Sequence, residues 1–171
     1  VQPNGHRAYV GIDPGVSGGV GLIWQGRASA IPIEELPPPK MWQWLLDVTT
    51  KVGSENIVVV MEQVTGYIPK GDTKEKQSDR QPASRAFVFG ESYGILKGLL
   101  VASGIEHVEC VHPATWQKAV GIELERGTKK DYDEWKRKLK EYAYHLFPES
   151  RVIGKTADAL LLAHYGRLKW E

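Results

Sequence analysis

The chain has 171 residues, a length that carries one compact domain with its own hydrophobic core rather than two. Hydrophobic residues make up 42% and charged residues 25%, the balance of an ordinary globular protein, and the formal net charge of +1 means that any basic surface must come from local clustering. Cys110 is the single cysteine, which excludes an internal disulfide framework and a multi-cysteine zinc site.

In chain order, Ala8–Ile12 reads as a strand stopped by Asp13–Pro14–Gly15. A glycine-rich turn leads to a second apolar run, Val20–Trp24. Gln25–Gly26–Arg27 breaks like a hairpin before a third short strand, Ala28–Ile33. Leu36 and the prolines Pro37 to Pro39 end that unit. Apolar residues at 41, 42, 45, 46 and 48 then predict a helix over Met41–Val52. Asn56–Met61 is a continuous β-branched run ending at Glu62, the pattern of a central parallel strand buried on both faces.

Gly66–Arg85 is polar and turn-rich, a long excursion inside the domain rather than a boundary. Beyond it the pattern predicts a helix over Ala86–Ser103 closed by Gly104, then a strand over Ile105–Val111 holding Cys110 as a small buried hydrophobe. A short helix starts at His112–Pro113, where proline suits the first helical position. A charged helix over Asp131–Phe147 and a last one over Thr156–Trp170 complete the chain. Three linked strands followed by alternating units imply an α/β fold, a mixed sheet with helices on its faces. No apolar run nears the ~20 residues of a membrane helix.

Two acids end apolar strands, Asp13 the first and Glu62 the fourth, and open α/β sheets collect ligands outside such ends. A third, Asp158, is a lone charge before Leu160, Leu161 and Leu162 in a helix that reads as largely buried. A carboxylate carried into such a helix needs a partner, and a metal ion is one candidate. Three carboxylates without cysteine suit Mg²⁺ or Mn²⁺, and two such ions ~4 Å apart serve phosphodiester cleavage by activating water and stabilising the leaving oxygen. Each acid also has a plain structural reading: Asp13 as a turn residue, Glu62 as a solvated strand end, Asp158 as an i, i+3 partner of Lys155. Their combination favours the metal reading.

Gly11–Ile12–Asp13–Pro14–Gly15, Met61–Glu62–Gln63–Val64 and Ala157–Asp158–Ala159–Leu160, in this order, resemble the RuvC-type Holliday junction resolvases of the ribonuclease H-like superfamily. Phe87–Val88–Phe89–Gly90 with Gly94, and Pro113 to Gly121, are similar to that family's connecting segments, with the phage, prophage and chloroplast resolvases as the nearest branch. The resemblance spans roughly residues 8 to 166. It implies a five-stranded mixed sheet flanked by helices, working as a homodimer. It further implies symmetric nicking of two opposing strands of a four-way DNA junction with Mg²⁺ or Mn²⁺, two ions per active site. Asp13, Glu62 and Asp158 take the positions of the metal-holding acids, and Lys118 that of a basic residue near the active centre.

Two departures stand out. Where family members carry an acid or histidine one turn before the last aspartate, this chain has Lys155, which cannot ligate a metal. One ion site is then weaker or differently built, and Lys155 is a candidate catalytic residue touching the scissile phosphate. His112 is either a replacement ligand or a plain helix cap. The aromatic that some members place shortly after the glutamate is Thr65 here, with Tyr67 two residues on as a base-stacking candidate.

Residues 126 to 140 hold seven basic residues against three acids. From this run Lys129, Lys130, Lys136 and Lys140 are phosphate candidates, Lys136 and Lys140 sharing a helix face. Solvated helix faces have the same composition. Lys70, Lys74, Lys76, Arg80 and Arg85 in the long loop are further candidates, ordered by DNA. Gly90, Gly94 and Gly98 form a flat helix strip that suits either the chain's own sheet or, as the resemblance implies, a second copy.

The first reading is thus a junction-resolving endonuclease. The others are a non-catalytic junction-binding or assembly module, and a ribonuclease H-like nuclease on RNA–DNA hybrids. A nucleotide cofactor is not expected, since no Gly-x-x-x-x-Gly-Lys-Ser/Thr loop occurs, and neither is a membrane partner. The sequence opens on Val1, so the lack of a targeting segment carries no weight. The expected location is a bacterial or phage-infected cytoplasm, or an organelle if such a segment has been trimmed.

Overall fold

The computed structural model describes residues 7–15, 17–63, 83–122, 129–150 and 152–171, with side chains described from 87 onward in the helix beginning at Ala83 and from 133 onward in the helix beginning at Lys129. Five strands, β1 (Ala8–Asp13), β2 (Gly19–Trp24), β3 (Arg27–Pro32), β4 (Ile57–Glu62) and β5 (His107–Val111), form one sheet in the order β3-β2-β1-β4-β5. β1–β2 and β2–β3 pair antiparallel, whereas β1–β4 and β4–β5 pair parallel. The helices are α1 (Pro38–Val52), α2 (Ala83–Ala102), α3 (Pro113–Ala119), α4 (Lys129–Leu146) and α5 (Ala157–Trp170). This is the expected α/β class, a five-stranded mixed sheet flanked by helices.

Alternation along the central strands divides the core into two layers. On β4, Ile57, Val59 and Met61 pack with Met41 and Leu45 of α1 and Leu96 and Leu100 of α2. Val58 and Val60 pack on the other face with Trp116 of α3, Leu139 of α4 and Leu160 to Leu162 of α5. A strand covered on both sides has no polar face to show, which is why residues 57–61 read as an unbroken apolar run.

The β2–β3 hairpin turns at Gln25 and Gly26, both at positive φ (50° and 73°), a two-residue connection that matches strand twist. Against β1 and β2 the close neighbour is α5. Gly11 and Gly21 are register partners, and a Cβ on Gly11 would lie 2.0 Å from the Ala159 carbonyl oxygen, one on Gly21 2.8 Å from it. The two glycines thus let the backbone of α5 rest on the sheet, with residues 157–166 all buried.

Several boundaries differ from expectation. α1 starts at Pro38 rather than Met41, because prolines in the first turn lack only N–H groups that a helix start leaves unpaired anyway. α2 starts at Ala83, which moves Arg85 from the polar excursion onto a helix. α4 spans Lys129–Leu146, two residues earlier than expected at its start. β5 begins at His107, and Ile105 instead packs under α1 and α2. Cys110 is exposed, not buried, because β5 is an edge strand covered on fewer sides than β4. Residues 64–82, the bulk of the polar excursion, lie outside the described residues. Among the described residues no helix is long and apolar enough to cross a membrane.

Candidate metal-dependent active site

The register places Asp13 and Glu62 side by side. β1 and β4 run parallel with Ile12 opposite Met61, so the next residue on each strand is an acid, ~4.8 Å apart by strand spacing. Alternation puts both on the α5 face, since Gly11 touches α5 and Val58 and Val60 pack with it. Asp158 enters from the first turn of α5, which the Gly11–Gly21 contact seats over the same strands.

Each acid is held differently. Asp13 Oδ1 accepts the Gly15 backbone N–H at 3.1 Å, so the turn that stops β1 also fixes its carboxylate. Burial pushes the Asp13 carboxyl above its usual range, and the charge of Asp158 adds to this against the pull of Gly15 and Lys136. Glu62 Oε2 accepts the indole N–H of the fully buried Trp116 at 2.9 Å. Burial, with the charges of Asp13 and Asp158, still pushes Glu62 up to about 7, opposed by the Trp116 hydrogen bond and Lys136. Asp158 is 5% exposed; its Oδ2 takes an ion pair from the Lys136 ammonium of α4, and its Oδ1 is buried without a hydrogen-bond partner.

The donors suit a hard divalent cation: carboxylate oxygens only, one of them orphaned in a buried setting, and two acids destabilised by burial and mutual repulsion. Among the described residues no three His, Cys, Asp or Glu side chains are grouped closely enough to hold a metal together, with Lys136 seated on the third acid.

The other expected residues are spread around this end of the sheet. Lys155 turns away from the acids to Glu34, at 2.6 Å. Asp158 therefore pairs with Lys136 and not with Lys155. Lys118 is exposed in the last turn of α3, two residues after the Trp116 that reaches Glu62. His112 caps α3, its Nδ1 accepting the Ala114 N–H at 3.3 Å. Lys136 and Lys140 part company: Lys136 reaches in to Asp158, and Lys140 is exposed. Arg137 and Lys138 bridge Glu134 and Glu141 on their own helix. Lys129 and Lys130 lie on α4 and Arg85 on α2, but their side chains fall outside the described residues, as do Thr65, Tyr67, Lys70, Lys74, Lys76 and Arg80 altogether.

Two residues at the site were not singled out for it from sequence. Trp116 reads as packing, and it is core, yet it also spends its one polar atom on Glu62. Lys136 reads as one of seven surface cations, although it follows Trp135 on the flank of the buried Trp135–Leu139–Ala143 stripe. That flanking position was the available signal.

No family model matches the sequence, and no curated protein does. Among solved structures, that of Thermus thermophilus RuvC in complex with a Holliday junction substrate is similar over 96% of both chains, with a TM-score of 0.54 and 17% sequence identity. The sheet order and helix placement described above are therefore those of the RuvC-type, ribonuclease H-like fold.

Proposed function

We propose that this chain, acting as a single nuclease domain, is a structure-selective DNA endonuclease that nicks four-way junctions using Mg²⁺ or Mn²⁺. The observation that carries the reading is the convergence of Asp13, Glu62 and Asp158, from positions far apart in sequence, on one end of the sheet. The fold similarity to a protein solved on a Holliday junction supports DNA as the substrate.

A divalent cation, when bound there, would supply Lewis acidity toward a scissile phosphate and a water. Asp13 and Glu62 would hold it, Asp13 steadied by Gly15 and Glu62 by Trp116. Glu62 is pushed up to about 7 by burial, so its carboxylate would hold a cation better as pH rises through neutrality. The exposed Lys118 of α3 and Lys140 of α4 are candidates to meet a phosphate, and the sequence adds Lys129 and Lys130, whose side chains lie outside the described residues.

A homodimer, needed to nick two opposing strands, is supported by α2. Among the described residues a Cβ at Gly90, Gly94 or Gly98 would meet nothing within 4 Å, so the described sheet does not use the strip, and Phe87, Val88 and Val101 stand exposed along the same helix.

One observation favours a second reading, a junction-binding module without cleavage: an ammonium already occupies Asp158. The test is a nicking assay on a labelled four-way junction, a linear duplex and an RNA–DNA hybrid, with Mg²⁺, Mn²⁺ or chelator. Paired nicks confined to the junction and abolished by Asp13→Asn are expected. Tight binding without nicking under either metal establishes the second reading, and cleavage of the hybrid alone a ribonuclease H activity.

A further inference from the structure

Resting on that reading, we propose that Lys136 stands in for one of the cations of a two-ion site, so that the active site works with a single divalent ion. The Lys136 ammonium is seated on Asp158 Oδ2, and its charge also acts on both Asp13 and Glu62, so it lies among the acids rather than on the outer face of α4. It is held there from its own helix: Trp135, the neighbouring residue, is buried, and the ammonium lies 5.5 Å from the centre of its ring.

Charge balance agrees. Three carboxylates less one ammonium leave two negative charges, which one divalent cation neutralises; a second ion would leave two positive charges beside the buried Asp158 and the half-buried Asp13 and Glu62. Donor placement agrees as well. The turn before Asp158, where another acid would complete a second ion's shell, presents Lys155, and that side chain is spent on Glu34. Asp13 and Glu62 alone suffice for one Mg²⁺, which keeps most of its waters and takes one or two carboxylates. Lys136 then acts as a positioning residue: it holds the Asp158 carboxylate by an ion pair and places a fixed positive charge on the acids' side of α4.

The test counts Mn²⁺ bound to the full chain by calorimetry and by the electron paramagnetic resonance of free Mn²⁺, beside junction nicking. One ion per chain is expected for the native protein and for Asp158→Asn, and a second, weaker ion for Lys136→Met. Lys136→Arg, which keeps the charge should the methionine variant fold poorly, is expected to retain one. Two ions in the native chain, or one in both the native chain and Lys136→Met, overturns the inference. Two ions with junction nicking leaves the proposed function standing and removes only the role of Lys136, whereas no Mn²⁺ binding and no nicking removes both.

Discussion

Trp116 gives its indole N–H to Glu62 Oε2 at 2.9 Å, so a core residue of α3 fixes the acid that ends β4. This hydrogen bond holds the Glu62 carboxyl lower than burial alone would leave it. Trp116→Phe keeps most of the ring volume and removes the donor. The Glu62 carboxyl then rises further, fewer molecules carry the carboxylate at neutral pH, and the ascending limb of the nicking rate against pH moves to higher pH. At pH 7 the rate is expected to fall roughly threefold to tenfold. An unshifted limb would show that the indole only packs.

The raised Glu62 carboxyl also predicts the pH dependence of stability in chelator. Its proton is bound more tightly in the folded chain, at about 7, than at the ordinary 4.5 of the unfolded one. The stabilisation this gives is complete below 4.5 and is lost as pH rises through 7. Glu62→Gln removes the ionisation. It is expected to leave stability near its native value in acid and to raise it by about 1–2 kcal/mol at about pH 8, after allowance for partial solvent screening. Urea unfolding at the two pH values measures this, and equal midpoints for both chains at high pH would contradict it.

The glycines of the first two strands yield a sharper stability prediction. A Cβ at Gly11 meets backbone atoms of α5, the Ala159 oxygen at 2.0 Å and the Ala163 nitrogen at 2.4 Å, and a helix backbone cannot rotate out of the way. Gly11→Ala is expected to cost about 3 kcal/mol or more and to lift Asp158 away from Asp13. Gly166→Ala is the comparison: its Cβ meets the Val60 methyl at 3.0 Å, which gives by a small shift, so a cost nearer ~1 kcal/mol is expected. Similar losses for both would mean that α5 is free to slide on the sheet.

What the sequence made legible follows from local rules. The apolar run at 57–61, the acids at two strand ends and the lone Asp158 were readable because alternation and helix periodicity put them where a ligand can collect. Lys136 and Trp116 were not, since each reaches an acid from another part of the chain, and no spacing rule connects α4 to α5 or α3 to β4. Cys110 was misread for a related reason: burial of a strand depends on its place in the sheet, and an edge strand of Val, Cys and Val looks locally like a central one. Lys155 shows the converse, an i, i+3 pair with Asp158 available on paper but forgone for Glu34 across the fold.

Helix α2 is apolar on nearly every side, yet among its described residues only Leu96 and Leu100 are buried, and Phe87 and Val101 are 73% and 78% exposed. Between this helix and the first turn of α1 lies a groove of about 570 Å³, lined by Leu36, Met41 and Leu96 and reaching Pro14 and Gly15 of the turn that holds Asp13. A helix apolar all round is stable in water only when a second surface covers it. If that surface is another copy of the chain, Val88→Glu, which sets a charge on the exposed side, turns a dimer into a monomer in sedimentation velocity. Because Val88 also lines the groove that reaches the Asp13 turn, the monomer is expected to nick one strand of a junction at a time and no longer in matched pairs. Monomeric behaviour of the native chain at micromolar concentration, with paired nicking intact, would mean that the junction itself brings the two copies together, and the substitution would then reduce paired nicking without changing the mass of the free protein.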